Sequence, residues 1–141
     1  MMPMVKRAAL AAAVMLTAGA AHAACDTVSY IEQCKAMLSD GYSVVTAYQL
    51  DGEADKVGSI SDDTVLSTRL SYQVTVCGAE GNAITFALEA ASGETVLSNK
   101  DGDAYRSSLT FTPPKMTVYN LVFSAPSPAE LCGGAVLGVK R

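Results

Sequence analysis

Three runs of strict alternation dominate the chain. Tyr72, Val74 and Val76 alternate with Ser71, Gln73 and Thr75, and Ile84, Phe86 and Leu88 alternate on the return. Tyr119, Leu121 and Phe123 form the clearest run of all. Apolar residues at every second position predict strands with one buried face. Val44 to Leu50, Val65 to Leu70, Thr95 to Leu97, Leu109 with Phe111, and Ala135, Leu137 and Val139 complete the strand set. Turn chemistry separates them at Asp51-Gly52-Glu53, Gly78 to Asn82, Ser92-Gly93, Asn99 to Asp103, Pro113-Pro114, Ala125 to Glu130 and Gly133-Gly134. One segment has helical character. Ser29 and Glu32 have capping-box spacing, and Tyr30 to Leu38 carries Ile31, Cys34 and Leu38 on one face before Asp40-Gly41 ends it. Seven or eight short strands with one short N-terminal helix predict a mainly β fold, an antiparallel β-sandwich or jelly roll. The sandwich is expected over residues 42–141, with the helical segment 24–41 packed on it.

The first residues carry a different pattern. Lys6 and Arg7 precede an apolar run from Ala8 to Ala18, and Ala21-His22-Ala23 places small residues at the −3 and −1 positions of a cut before Ala24. That arrangement predicts a secretory signal peptide over residues 1–23, and a periplasmic or secreted product. The run is too short to span a bilayer, which needs about 20 residues. The remaining 118 residues keep all 14 acids and lose two of the ten basic residues, which moves the net charge from −4 to −6. An acidic chain without a basic face gives no electrostatic basis for nucleic-acid binding.

The four cysteines, Cys25, Cys34, Cys77 and Cys132, all follow the expected cut. An even count in an exported chain predicts two disulfides, and their spacing lacks the close pairs a zinc site uses. Cys77 ends one expected strand and Cys132 precedes the last, which favours Cys77–Cys132 and leaves Cys25–Cys34. The rival pairing ties Cys34 into the sandwich, because Cys34 shares the apolar helix face.

Composition closes several chemistries. The single histidine, His22, lies in the expected signal segment. A Ser-His-Asp or Cys-His site is therefore excluded from the processed chain. Paired carboxylates of the glycosidase kind remain conceivable at Asp62-Asp63, at Asp51, Glu53 and Asp55, or at Asp101 and Asp103, but so short a chain offers little cleft. Asn99, Asp101 and Asp103 set alternate oxygen ligands on a loop, a pattern suited to calcium. Ala104 and Thr110 at the sixth and twelfth positions exclude an EF-hand. Tyr72 and Tyr119 fall in the inward alternation, whereas Tyr48 and Tyr105 are candidates for exposed ligand contacts.

The strand order Leu70-Ser71-Tyr72-Gln73-Val74, Ile84-x-Phe86-x-Leu88, Gly93-x-x-Val96-Leu97, Ser108-x-x-Phe111-x-Pro113 and Tyr119-x-Leu121-x-Phe123 covers roughly Val65 to Phe123. It resembles the bacterial pre-peptidase C-terminal domain, a jelly-roll-like sandwich attached to secreted enzymes. The resemblance implies a non-catalytic accessory or binding module. The expected function is thus an exported sandwich that binds an envelope protein or a glycan, without a cofactor other than the candidate calcium ion. The alternative is a structural subunit of a surface or periplasmic assembly that pairs through an edge strand.

Overall fold

The computed structural model describes residues 25–79 and 83–141. The expected signal peptide and the Glu80-Gly81-Asn82 turn lie outside the described residues. The chain runs through helix α1 (Thr27–Ala36), β1 (Ser43–Asp51), a single helical turn α2 (Gly52–Asp55), β2 (Ser59–Leu66) and β3 (Ser71–Gly78). It continues with β4 (Thr85–Glu89), β5 (Thr95–Ser98), β6 (Lys100–Asp101), β7 (Ala104–Tyr105) and β8 (Ser108–Phe111). The last elements are β9 (Thr117–Ser124), a 3-10 turn (Pro128–Glu130) and β10 (Cys132–Lys140).

Eight of these strands form an antiparallel β-sandwich. One sheet has the order β1-β10-β3-β8 and the other β2-β9-β4-β5, while β6 and β7 make a separate ribbon. The expected alternations supply the inner faces, with Phe86, Leu88, Leu121, Phe123, Leu137 and Val74 fully buried between the sheets. Tyr48, Phe86 and Phe123 pack ring to ring, with centroids 5.1 and 5.4 Å apart. Tyr72 and Tyr119 are buried as expected. Their hydroxyls reach backbone, Tyr72 accepting from the Ser67 N–H and Tyr119 donating to the Lys115 carbonyl.

Helix α1 covers the outer face of the first sheet. It begins earlier than the capping-box spacing suggested, because the Asp26 carboxylate accepts from the Ser29 N–H at 3.1 Å and caps the first turn. Its buried residues Thr27, Ile31 and Cys34 recur at helical spacing, and Ile31 and Cys34 meet Val136 and Cys77. The helix sits so low that a Cβ on Gly134 would lie 2.7 Å from Ile31 Cγ1 and 2.8 Å from its backbone nitrogen. Gly133-Gly134 is therefore not a turn but the start of β10, where the missing side chain admits the helix. The same cover changes β3. The alternation puts Gln73 and Thr75 on the face away from the core, yet Tyr72 to Cys77 is buried on both sides. Thr75 donates to the Cys34 carbonyl at 3.1 Å, and Gln73 accepts from the Ser39 N–H at 2.8 Å. Both polar side chains thereby complete the end of the helix.

The disulfides are Cys25–Cys132 and Cys34–Cys77, with Cα atoms 5.6 and 5.7 Å apart. This corrects the favoured pairing. Cys77 lies opposite Gly134, so Cys132 stands two residues off register, a diagonal of about 7–8 Å that a disulfide does not span. Cys25 and Cys34 are separated by most of a helix, roughly 13 Å at 1.5 Å per residue. Among the described residues no helix is long and apolar enough to cross a membrane.

Candidate functional site

The polar stretch after β5 is not a loose loop. Lys100 pairs with Tyr105 and Asp101 with Ala104, so Gly102 and Asp103 form a two-residue hairpin turn. Gly102 has φ of 66°, and a positive φ at the first central position only is the pattern of a II′ turn, which suits the twist of a hairpin. The ribbon projects from one end of the sandwich.

Asn99 fixes its base. The residue is 2% exposed, and its side-chain oxygen accepts from the Phe86 N–H at 2.7 Å. Its amide nitrogen donates to the Arg106 carbonyl at 2.9 Å and to the Ile84 carbonyl at 3.2 Å. The backbone repeats the tie, with Asn99 N–H donating to Phe86 and Arg106 N–H donating to Asn99. One buried amide thus joins β4 to both legs of the ribbon. Beyond that anchor the ribbon is solvated. Tyr105 is 40% exposed, with the Lys100 ammonium 5.9 Å from its ring centre. Arg106 pairs with Asp101 at 2.9 Å, a contact open to water that contributes little to stability but orients both groups. Behind the ribbon lies a depression of about 180 Å³ bounded by Val76, Ile84, Asn99, Tyr105 and Arg106.

The structure parts the expected ligand residues. Asn99 faces inward with its amide committed to backbone, Asp101 is engaged by Arg106, and Asp103 sits exposed at the tip. Among the described residues no group of three or more His, Cys, Asp or Glu is placed to hold a metal. Asp62 and Asp63 project from opposite faces of β2, and Asp51 accepts from the Ala54 N–H to cap α2.

Tyr48 is not a surface residue. It is 8% exposed in the core, and its hydroxyl donates to Asp62 at 2.9 Å, from one edge strand to the edge strand of the opposite sheet. The polar composition of Ser59 to Thr64 hid this strand, whose inner face carries Asp62 between Ile60 and Leu66. Burial first, then the hydrogen bond and charge of Asp62, push the Tyr48 pKa well up. Folding therefore favours the neutral phenol. That stabilisation is full below about pH 10, the ordinary tyrosine value, and declines as the pH rises above it, where the unfolded chain has released a proton the native chain still holds. Tyr48→Phe is expected to flatten this alkaline decline by up to about 1.4 kcal/mol per pH unit in urea unfolding. An unchanged slope between pH 10 and 11 would show that the hydroxyl plays no such part.

Fold and site together define a disulfide-stapled antiparallel β-sandwich that carries a rigidly anchored, projecting ribbon. No protein-family model matches the chain, and no curated protein matches it. Among solved structures, the chain is similar to the crystal structure of Aeromonas hydrophila PliG, a periplasmic lysozyme inhibitor of g-type lysozyme. Identity is 16% and the TM-score 0.42, over 74% of this chain and 90% of that one.

Proposed function

We propose that the chain is an exported, non-catalytic sandwich that binds an envelope protein or a glycan through the β6–β7 ribbon. The observation that carries this reading is the Asn99 anchor. A solvated hairpin presenting an aromatic ring and a guanidinium, held by a buried amide with three side-chain hydrogen bonds, has little conformational freedom left to lose on binding. Tyr and Arg are also the side chains that most often dominate protein interfaces. Two disulfides suit an oxidising compartment.

The structural-subunit alternative needs an open sheet edge, and three of the four edge strands, β1, β2 and β8, carry or adjoin features that oppose strand addition. Asp62 points inward on β2, β1 is bulged between Val44 and Thr46, and Pro113-Pro114 follows β8. The test is affinity for peptidoglycan fragments, an array of envelope glycans and a g-type lysozyme. Tyr105→Ala and Arg106→Ala are each expected to weaken a detected complex at least tenfold, about 1.4 kcal/mol, with the melting temperature unchanged. Binding that survives both substitutions would overturn the ribbon as the site.

A further inference from the structure

The two disulfides differ in how a thiol can reach them. Cys25 and Cys132 are partly exposed, and their bond joins the residue ahead of the α1 cap to the start of β10. Cys34 is 0% exposed and Cys77 8%, both between α1 and its sheet in a cluster with Ile31 and Val136. Their neighbours close this second bond further. The Gly134 carbonyl oxygen stands 3.4 Å from Cys34 Sγ, and the sulfur of Met37, the residue that ends α1, stands 3.3 Å from Cys77 Sγ.

The buried bond lies where side-chain hydrogen bonds also hold the helix. Thr75 donates to the Cys34 carbonyl, and Gln73 accepts from the Ser39 N–H. Neither tie passes through Cys25 or Cys132. A helix of ten residues is marginal by itself in water, so α1 keeps its form by staying docked. Beneath it, Gly134 and Gly138 leave the room that Ile31 and Leu38 fill.

We propose that the two bonds form a two-stage redox device acting on α1. A dithiol reductant opens Cys25–Cys132 directly and leaves α1 docked. Cys34–Cys77 opens only after the C-terminal turn of α1 lifts and carries Met37 away, and its opening uncovers the glycine-lined face of β10. In each stage a thiolate of the reductant attacks one sulfur, the S–S bond breaks, and the other cysteine leaves as a thiolate that takes up a proton. The second thiol of the reductant, deprotonated, then displaces the first cysteine. Two electrons thereby pass to the protein, and the reductant leaves as its own disulfide. Exchange depends on access to the sulfur attacked. At Cys34 the Gly134 backbone stands against the sulfur, and its carbonyl oxygen repels a thiolate. That leaves Cys77, where Met37, itself 37% exposed, is the movable part of the cover. None of these residues belongs to the ribbon, so the device and the proposed binding function are tested separately.

Timed reduction of the purified chain with dithiothreitol, stopped by alkylation and read by peptide mass mapping, tests the order. Cys25 and Cys132 are expected to label about tenfold faster than Cys34 and Cys77, or more. With only the first bond open, the α1 amides are expected to keep their protection from exchange. Met37→Ala, whose fold circular dichroism verifies, is expected to speed labelling of Cys34 and Cys77 about threefold or more, with Cys25 and Cys132 unchanged. Lifting one helical turn exposes little surface, so labelling of Cys34 and Cys77 is expected to rise only weakly with urea below the unfolding transition. Equal rates for the two bonds, or Cys34–Cys77 opening first, overturn the proposal. So does α1 losing protection once Cys25–Cys132 alone is open. A Cys34–Cys77 rate that Met37→Ala leaves unchanged, or that follows the full urea dependence of global unfolding, overturns it as well.

Discussion

Asn99→Ala is expected to destabilise the chain by about 2–4 kcal/mol and to release the ribbon. The substitution removes three side-chain hydrogen bonds at once, each contributing about 1 kcal/mol net. It also leaves the N–H of Phe86, a fully buried residue of β4, without its acceptor, and that unsatisfied donor accounts for about 1–3 kcal/mol of the loss. Asn99→Asp separates the roles. It keeps an acceptor for Phe86 but faces a carboxylate toward the Ile84 and Arg106 carbonyls, which need donors. It is therefore expected to be at least as damaging at neutral pH. Urea unfolding reads the stability, and hydrogen exchange of residues 100–106 reads the ribbon. Loss of exchange protection in the ribbon before global unfolding is the expected signature. A change under about 0.5 kcal/mol would mean the amide is not the anchor.

The second large effect belongs to the disulfides. Cys25 and Cys132 are 107 residues apart, so their bond links nearly the two ends of the described chain. Loop-closure arithmetic assigns a bond of that span about 4–5 kcal/mol, and the 43-residue Cys34–Cys77 bond about 4 kcal/mol. Replacing Cys25 and Cys132 together by Ala, which leaves no stray thiol, is expected to lower stability by about 3–5 kcal/mol. Cys34→Ala/Cys77→Ala acts differently. Helix α1 is then held on its sheet by Ile31 and Val136 with the two polar ties, Thr75 and Gln73, and its amides are expected to exchange early. Stability losses below about 1 kcal/mol for either pair would contradict the role given to these bonds.

These residues also show where the sequence was readable. Period-two runs placed β3, β4, β9 and β10 because one face of each meets the core, and burial writes that period directly. Ser59 to Thr64 escaped because it is an edge strand whose inner face holds Asp62, a residue that composition alone assigns to solvent. Gly133-Gly134 read as a turn because two glycines usually mark one, whereas here absent side chains make room for Ile31. Disulfide pairing depended on the same helix placement, which no local spacing encodes. The site was half legible. Asn99 to Asp103 stood out by composition, but its oxygens suggested a metal loop. Only its burial and its bonds to Phe86, Ile84 and Arg106 reveal that Asn99 turns inward and builds a support. Tyr48 and Tyr105 look alike in the sequence. Parity on β1 buries one, and the ribbon exposes the other.

As proposed, the anchored ribbon is the binding surface of a non-catalytic module. Amide chemical-shift mapping with a bound peptidoglycan fragment, envelope glycan or envelope protein tests it most directly. The largest shifts are expected at Lys100 to Arg106 and at the neighbouring Val76 and Ile84, and they are expected to disappear in Tyr105→Ala. Shifts confined to the opposite end of the sandwich, or to α1, would contradict it.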